Sequence, residues 1–167
     1  MKTPSAAPKP DQISARTAAR VAAVQALYQM DLAGTDLNDV IEEFLAVRFT
    51  EEGRGETIEG ADRTFFADIL RAVLRRQREI DPMVDEQLAT GWRLVRVDAI
   101  LRAVLRAGVA ELLDRADVPA RVVINEYINV ARFFFSEDEP RVVNGVLDKI
   151  AHSVRAKEFE ARPVKEV

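Results

Sequence analysis

Between Val97 and Leu113 the apolar residues fall in pairs, Ile100/Leu101, Val104/Leu105 and Leu112/Leu113, with Val109 between the last two. Steps of three and four residues stack side chains on one face of an α-helix. Asp98, Arg102 and Arg106, spaced by four, take another face of the same helix. A strand would alternate every second residue, and no stretch of useful length does so. The helical period recurs in segment after segment, with no longer internal repeat. The chain therefore reads as all-α, with six to seven helices.

Local chemistry marks where those helices begin and end. Ser14 is an N-cap for a first helix that stops before Gly34, its apolar stripe being Val24, Leu27, Tyr28 and Met30. A second helix starts at about Asp36, with Val40, Ile41, Phe44 and Leu45 inward, and Gly53, Gly55 and Gly60 make residues 49–61 a loop. Asp62 caps a third helix that buries Phe65, Phe66, Ile69, Leu70, Val73 and Leu74. Asp81-Pro82 predicts a break, since the residue before proline avoids the helical region; a short helix through Leu88 would follow and end near Gly91. Pro119 opens a helix to about Phe135, apolar around most of its circumference and so the expected central helix of the second half. Pro140 starts the last one, with Val143, Val146, Leu147 and Ile150 inward. Gly108 and Gly145 each lie inside a helix, where glycine costs ~1 kcal/mol against alanine; both predict a close approach by a neighbour. The resulting division is a flexible tail at 1–12, an N-terminal helical subdomain at 13–90, a C-terminal one at 91–155, and a frayed tail at 156–167.

What is missing narrows the function. The 167 residues are 48% hydrophobic, enough to fill a core, and include no cysteine and a single histidine, His152. Disulfides, thiolate metal sites, cysteine nucleophiles and histidine-based triads are excluded. The GRG at 53–55 lacks the strand, helix and lysine of a phosphate loop. Glu137, Asp138 and Glu139 stand at a helix start, where the dipole favours acids without any catalytic role. The expectation is a protein that is no enzyme and needs no metal or cofactor. The opening MKTPSAAPKP has no apolar signal core, and no apolar run reaches the ~18 residues of a membrane span. A cytoplasmic protein is expected, away from membranes.

The net charge of −4 conceals an uneven distribution: residues 35–62 hold nine acids against two arginines, whereas residues 1–34 hold four basic residues against two acids. A nucleic-acid site would have to be a local basic patch. Arg16 and Arg20 open the first helix, where a cation opposes the macrodipole by ~0.3–1 kcal/mol. Helix-start amides with two guanidiniums make an anion site, and Lys2 and Lys9 on the tail can add to it. On the residues alone three readings stand: ordinary surface charge, a polyanion such as a nucleic-acid backbone, and an acidic protein partner.

Three motifs add a resemblance. At AVQALYQMDLAG (23–34), DVPARVVINEYINVARFF (117–134) and VVNGVLDKIA (142–151) the chain resembles the NusB family of bacterial transcription antitermination factors, in that family's order and spacing over roughly residues 14–155. The resemblance implies an all-helical protein of two perpendicular subdomains. It implies binding to the boxA element of ribosomal RNA transcripts together with NusE, and entry into the elongating RNA polymerase complex. The family's arginine-rich segment falls on Arg16 to Arg20, with Thr17 and Ala18 where basic residues often occur. Its RNA surface maps onto Phe65, Asp138, Arg141 and Asn144, with Val142 in place of an aromatic. By spacing alone Phe65 is equally a core residue, and Asn144 equally a bond to the neighbouring loop. The NusE surface falls at about residues 75–95, with Met83 and Trp92 as anchors or as core. A second reading, from a different class, is a self-associating helical scaffold whose RNA surface is masked in a homodimer. A third, the RNA-binding module of a methyltransferase, lacks any glycine fingerprint in support.

Overall fold

In the computed structural model, which describes residues 14–49, 60–88 and 97–160, six α-helices pack around one continuous apolar core. They are α1 (Ala15–Ala33), α2 (Leu37–Glu43), α3 (Arg63–Gln87), α4 (Ala99–Asp114), α5 (Ala120–Phe134) and α6 (Glu139–Val154). A wider π-type turn, Phe44–Arg48, extends α2, and a single 3-10 turn, Ala156–Phe159, follows α6. No strand occurs among the described residues.

The caps act as their side chains require. Ser14 accepts a bond from the Thr17 amide, Asp36 from that of Asn38, Asp62 from that of Phe65, and Asp98 from those of Ile100 and Leu101. Each satisfies amides that the first turn of a helix leaves open. Gly34 ends α1 at φ +64°, the left-handed conformation glycine adopts without a Cβ penalty, and its amide bonds the Met30 carbonyl.

Helix α1 buries Val24 and Leu27 of its expected stripe and packs Met30 against the core, but it leaves out Tyr28 and buries a row of alanines instead. Tyr28 is exposed, while Ala18, Ala19, Ala22, Ala23 and Ala26 are buried with Val21 and Val24. Alanines let α3 and α4 approach the α1 backbone on two sides. The central helix is α4, which packs against α1, α3, α5 and α6 and is buried nearly all round from Leu101 to Leu112. Helix α5, expected in that place, keeps a solvent face at Arg121, Val122, Asn125, Asn129 and Arg132.

Pro82 does not break the chain: α3 runs through it to Gln87. The loss of one helical hydrogen bond is outweighed by packing, because Ile80 and Val84 on either side are fully buried. Asp81 also holds both Nε (2.9 Å) and Nη2 (2.8 Å) of Arg106 on α4. Gly108 meets its expectation, for a Cβ there would stand 2.8 Å from the Leu147 Cδ1 on α6. Gly145 does not, since a Cβ would meet nothing within 4 Å. The residues after Arg155 are also ordered through the 3-10 turn rather than frayed.

Candidate nucleic-acid interface

One end of the bundle is assembled from the starts of α1 and α3 and the end of α4. The amide of Asp62 donates to the carbonyl of Ala15 at 2.9 Å, tying the first turn of α3 to that of α1. This brings Phe65 under the arginines of α1. Its ring is 3% exposed and is surrounded by three guanidiniums: Arg16 at 4.6 Å, Arg20 at 4.9 Å and Arg115 at 5.1 Å from the centroid. A ring face attracts cations through its quadrupole, so one phenylalanine gathers positive charge at this end.

The two arginines of α1 diverge. Arg16 is exposed and lies over the ring. Arg20 is 3% exposed and forms a bidentate pair with Glu111 of α4, Nε to Oε2 at 2.8 Å and Nη2 to Oε1 at 2.9 Å. Glu126 of α5 stands 3.4 Å from its Nη1 and accepts from the Thr17 hydroxyl at 2.7 Å. Burial alone would lower the Arg20 pKa, but the bond and charge of Glu111 outweigh it and hold the guanidinium above its ordinary value. The neighbouring Tyr127 phenol is pushed well above its usual range, first by burial and then by the Glu111 charge. Arg20 is therefore a correction: it fastens α1 to α4 and does not project past the bundle. Thr17, where a basic residue was expected, is buried in the same layer and could not present a charge to solvent.

Phe65 is a second correction. A base cannot stack on a ring already covered by arginines; its part is to carry guanidiniums. Sequence reasoning passed over Arg71 and Arg115 and placed Arg75 only at the edge of the NusE surface. With Phe65, Asp68 and Asp114 they line a cleft of about 200 Å³ beside the ring. Asp114 is neutralised by Arg75 and Arg76, and Arg115 lies 3.0 Å from Asp117 and 3.7 Å from Asp68. The only local signal for Arg115 was its place just past the end of α4.

The other candidates lie elsewhere. Asp138 is the N-cap residue of α6 without a side-chain capping bond, and Arg141 and Asn144 are exposed on the first turns of that helix. No described contact joins them to Arg16. From Glu126, beside Thr17, α5 runs eight residues to its end, ~12 Å at 1.5 Å per residue. Met83 is half-buried and packs against the core. Lys2, Lys9 and Trp92 lie outside the described residues.

A family described as the NusB family matches residues 17–152. The chain belongs to the NusB family. Among its NusB relatives, the transcription antitermination protein NusB of Rhodopseudomonas palustris (strain TIE-1) is 53% identical over 144 residues, 86% of this chain and 83% of that protein. The protein of the same name from Caulobacter vibrioides is 50% identical over 145 residues, 87% of this chain and 97% of that one. The structure of T. maritima NusB superposes with a TM-score of 0.71 at 28% identity, covering 96% of this chain and all, 100%, of that one. The fold also matches one chain of a crystal structure of the antitermination factors NusB and NusE in complex with double-stranded RNA, at a TM-score of 0.65 and 24% identity, covering 83% of this chain and 97% of that one. Among the described residues no helix is long and apolar enough to cross a membrane.

Proposed function

We propose that this chain is a transcription antitermination factor that binds the boxA element of ribosomal RNA transcripts together with NusE and joins the elongating RNA polymerase complex. The relatives that share half its residues bear the antitermination name. The observation that carries the reading is Arg16: an exposed guanidinium seated on a buried ring at a helix start, with Arg115 beside the same ring. Open first-turn amides and that guanidinium favour a phosphate. Arg115 contributes when a phosphate displaces its exposed partner Asp117. Asp138, Arg141 and Asn144 supply a second contact region on α6. Two separate contact regions suit a polyanionic nucleotide chain better than a single small anion.

The deciding experiment is a salt-titrated gel shift on boxA RNA, with and without NusE. The logarithm of affinity should fall linearly with that of salt, at a slope of about −0.7 per neutralised phosphate on single-stranded RNA. Arg16→Gln should flatten the slope by about one such contact. An unchanged affinity and slope in that variant overturns the site. A dimer that RNA and NusE never dissociate would instead favour the masked scaffold.

A further inference from the structure

The 3-10 turn after α6 reaches back to the joint between α4 and α5. Arg155, only 11% exposed, uses all five of its N–H groups there. Nε donates to the Leu112 carbonyl at 2.7 Å, and Nη2 to the carbonyls of Arg115 at 2.7 Å and Glu111 at 3.4 Å. Nη1 donates to the Val118 carbonyl at 3.1 Å and to Glu158 Oε2 at 2.7 Å. The second Glu158 oxygen accepts from the amide of Ala120, the first residue of α5, at 2.9 Å. One guanidinium thus serves the Leu112 carbonyl at the end of α4 and gives a second donor to those of Glu111 and Arg115, which also accept the amides of Arg115 and Val118, and the carboxylate it holds serves an open amide at the start of α5. The residue between them whose carbonyl is gripped is Arg115, the arginine that faces Phe65 on its other side.

We propose that Arg155 and Glu158 are positioning residues for RNA binding: they fix the backbone from which the Arg115 side chain extends into the mouth of the bundle. The inference rests on the reading of that mouth as the RNA site. Without the clamp, the last turn of α4 keeps only its single backbone bonds to the Glu111 and Arg115 carbonyls, loses the side-chain donor to Leu112, and frays more readily, as weakly held helix ends do. The Arg115 guanidinium then leaves the ring for part of the time. Lysine cannot replace arginine here, because one ammonium cannot reach carbonyls spread over residues 111 to 118.

The test is a double-mutant cycle on the full chain, read by boxA RNA affinity and by amide exchange. Arg16→Gln and Arg115→Gln each test the mouth itself. Arg155→Lys is made alone and on the Arg115→Gln background. Arg155→Lys should weaken RNA binding by about tenfold with Arg115 present and have no further effect without it, the signature of coupled residues. A purely structural role would lower stability equally on both backgrounds. In Arg155→Lys the Val118 amide, bonded to the Arg115 carbonyl, should exchange faster, while the Asp62 amide at the α1–α3 joint should not change. Glu158→Ala, which frees one end of Arg155 and the Ala120 amide, is the milder variant where Arg155→Lys does not fold; it should weaken RNA binding less, again only with Arg115 present, and an equal loss on both backgrounds overturns the positioning role. If the Arg16 and Arg115 variants weaken binding and the Arg155 effect is absent or additive, the positioning role is wrong and the site stands. If neither Arg16→Gln nor Arg115→Gln alters binding, the reading of the mouth falls.

Discussion

The outer and inner faces of the first turns of α1 carry the same residue type in opposite circumstances. Arg16 and Arg20 are separated by ~40° of rotation and ~6 Å of rise. One lies in solvent over the edge of the bundle; the other is sealed between α1, α4 and α5. Their energetics differ accordingly. The cost of a cation at a helix start, ~0.3–1 kcal/mol, is about matched by an exposed cation–ring contact of ~0.5–1 kcal/mol, so Arg16 is near neutral for stability and available for binding. Arg20 has no such availability, and its charge is tolerable only because Glu111 accompanies it. Beneath the surface proposed to meet RNA lies a layer of paired charges that joins α1, α4 and α5.

The largest effect should come from breaking that layer. Arg20→Met leaves the Glu111 carboxylate, 1% exposed, without its partner, and an orphaned buried charge costs ~3–5 kcal/mol. Denaturant unfolding would read this as a lower midpoint. The double change Arg20→Met with Glu111→Leu should recover most of the loss, since replacing both members of a buried pair by apolar groups is often neutral. If instead Arg20→Met keeps full stability and loses RNA binding, the division between the two arginines collapses.

Next in size is the mirror experiment on the outer face. Arg16→Gln should leave the unfolding midpoint within the ~0.5 kcal/mol typical of surface changes. It should weaken RNA binding by ~1.5–3 kcal/mol, the worth of a charge-assisted contact. Equal losses in stability and affinity would mean that Arg16 is structural too.

How much of this could be read beforehand follows the range of the interactions. The starts of α1, α2 and α3 were legible because a cap is local: Ser14, Asp36 and Asp62 act on amides two or three residues away; Asp98, read as part of a face of α4, is instead its cap. Arg20 was not legible, because its partner Glu111 lies 91 residues along the chain and no pattern near either residue announces the other. Pro82 misled for a related reason. Its local rule holds, but Ile80, Val84 and the Asp81–Arg106 pair impose the helix from outside. The clamp at Arg155 and Glu158 was hidden in the same way, since it acts across the ends of α4 and α5.

The smallest expected effect carries the same contrast to glycine. Gly108 and Gly145 both sit inside helices, one against Leu147 and the other facing open space. Alanine at 145 adds a Cβ that touches nothing and removes glycine's extra backbone entropy, so Gly145→Ala should stabilise by ~0.5–1 kcal/mol. At 108 the same methyl must displace the Leu147 side chain inside the core, and crowding of that kind costs ~1–3 kcal/mol, enough to cancel or exceed the helical gain. A pair of thermal melts, one variant rising and the other not, would show that burial rather than residue type decides the sign here as it does for the arginines. Gly145 also adjoins Asn144 on the exposed start of α6. If Gly145→Ala raises stability yet lowers RNA affinity, the transcript must pass directly over that turn, and the contact surface extends from the mouth at Arg16 to the far end of α5.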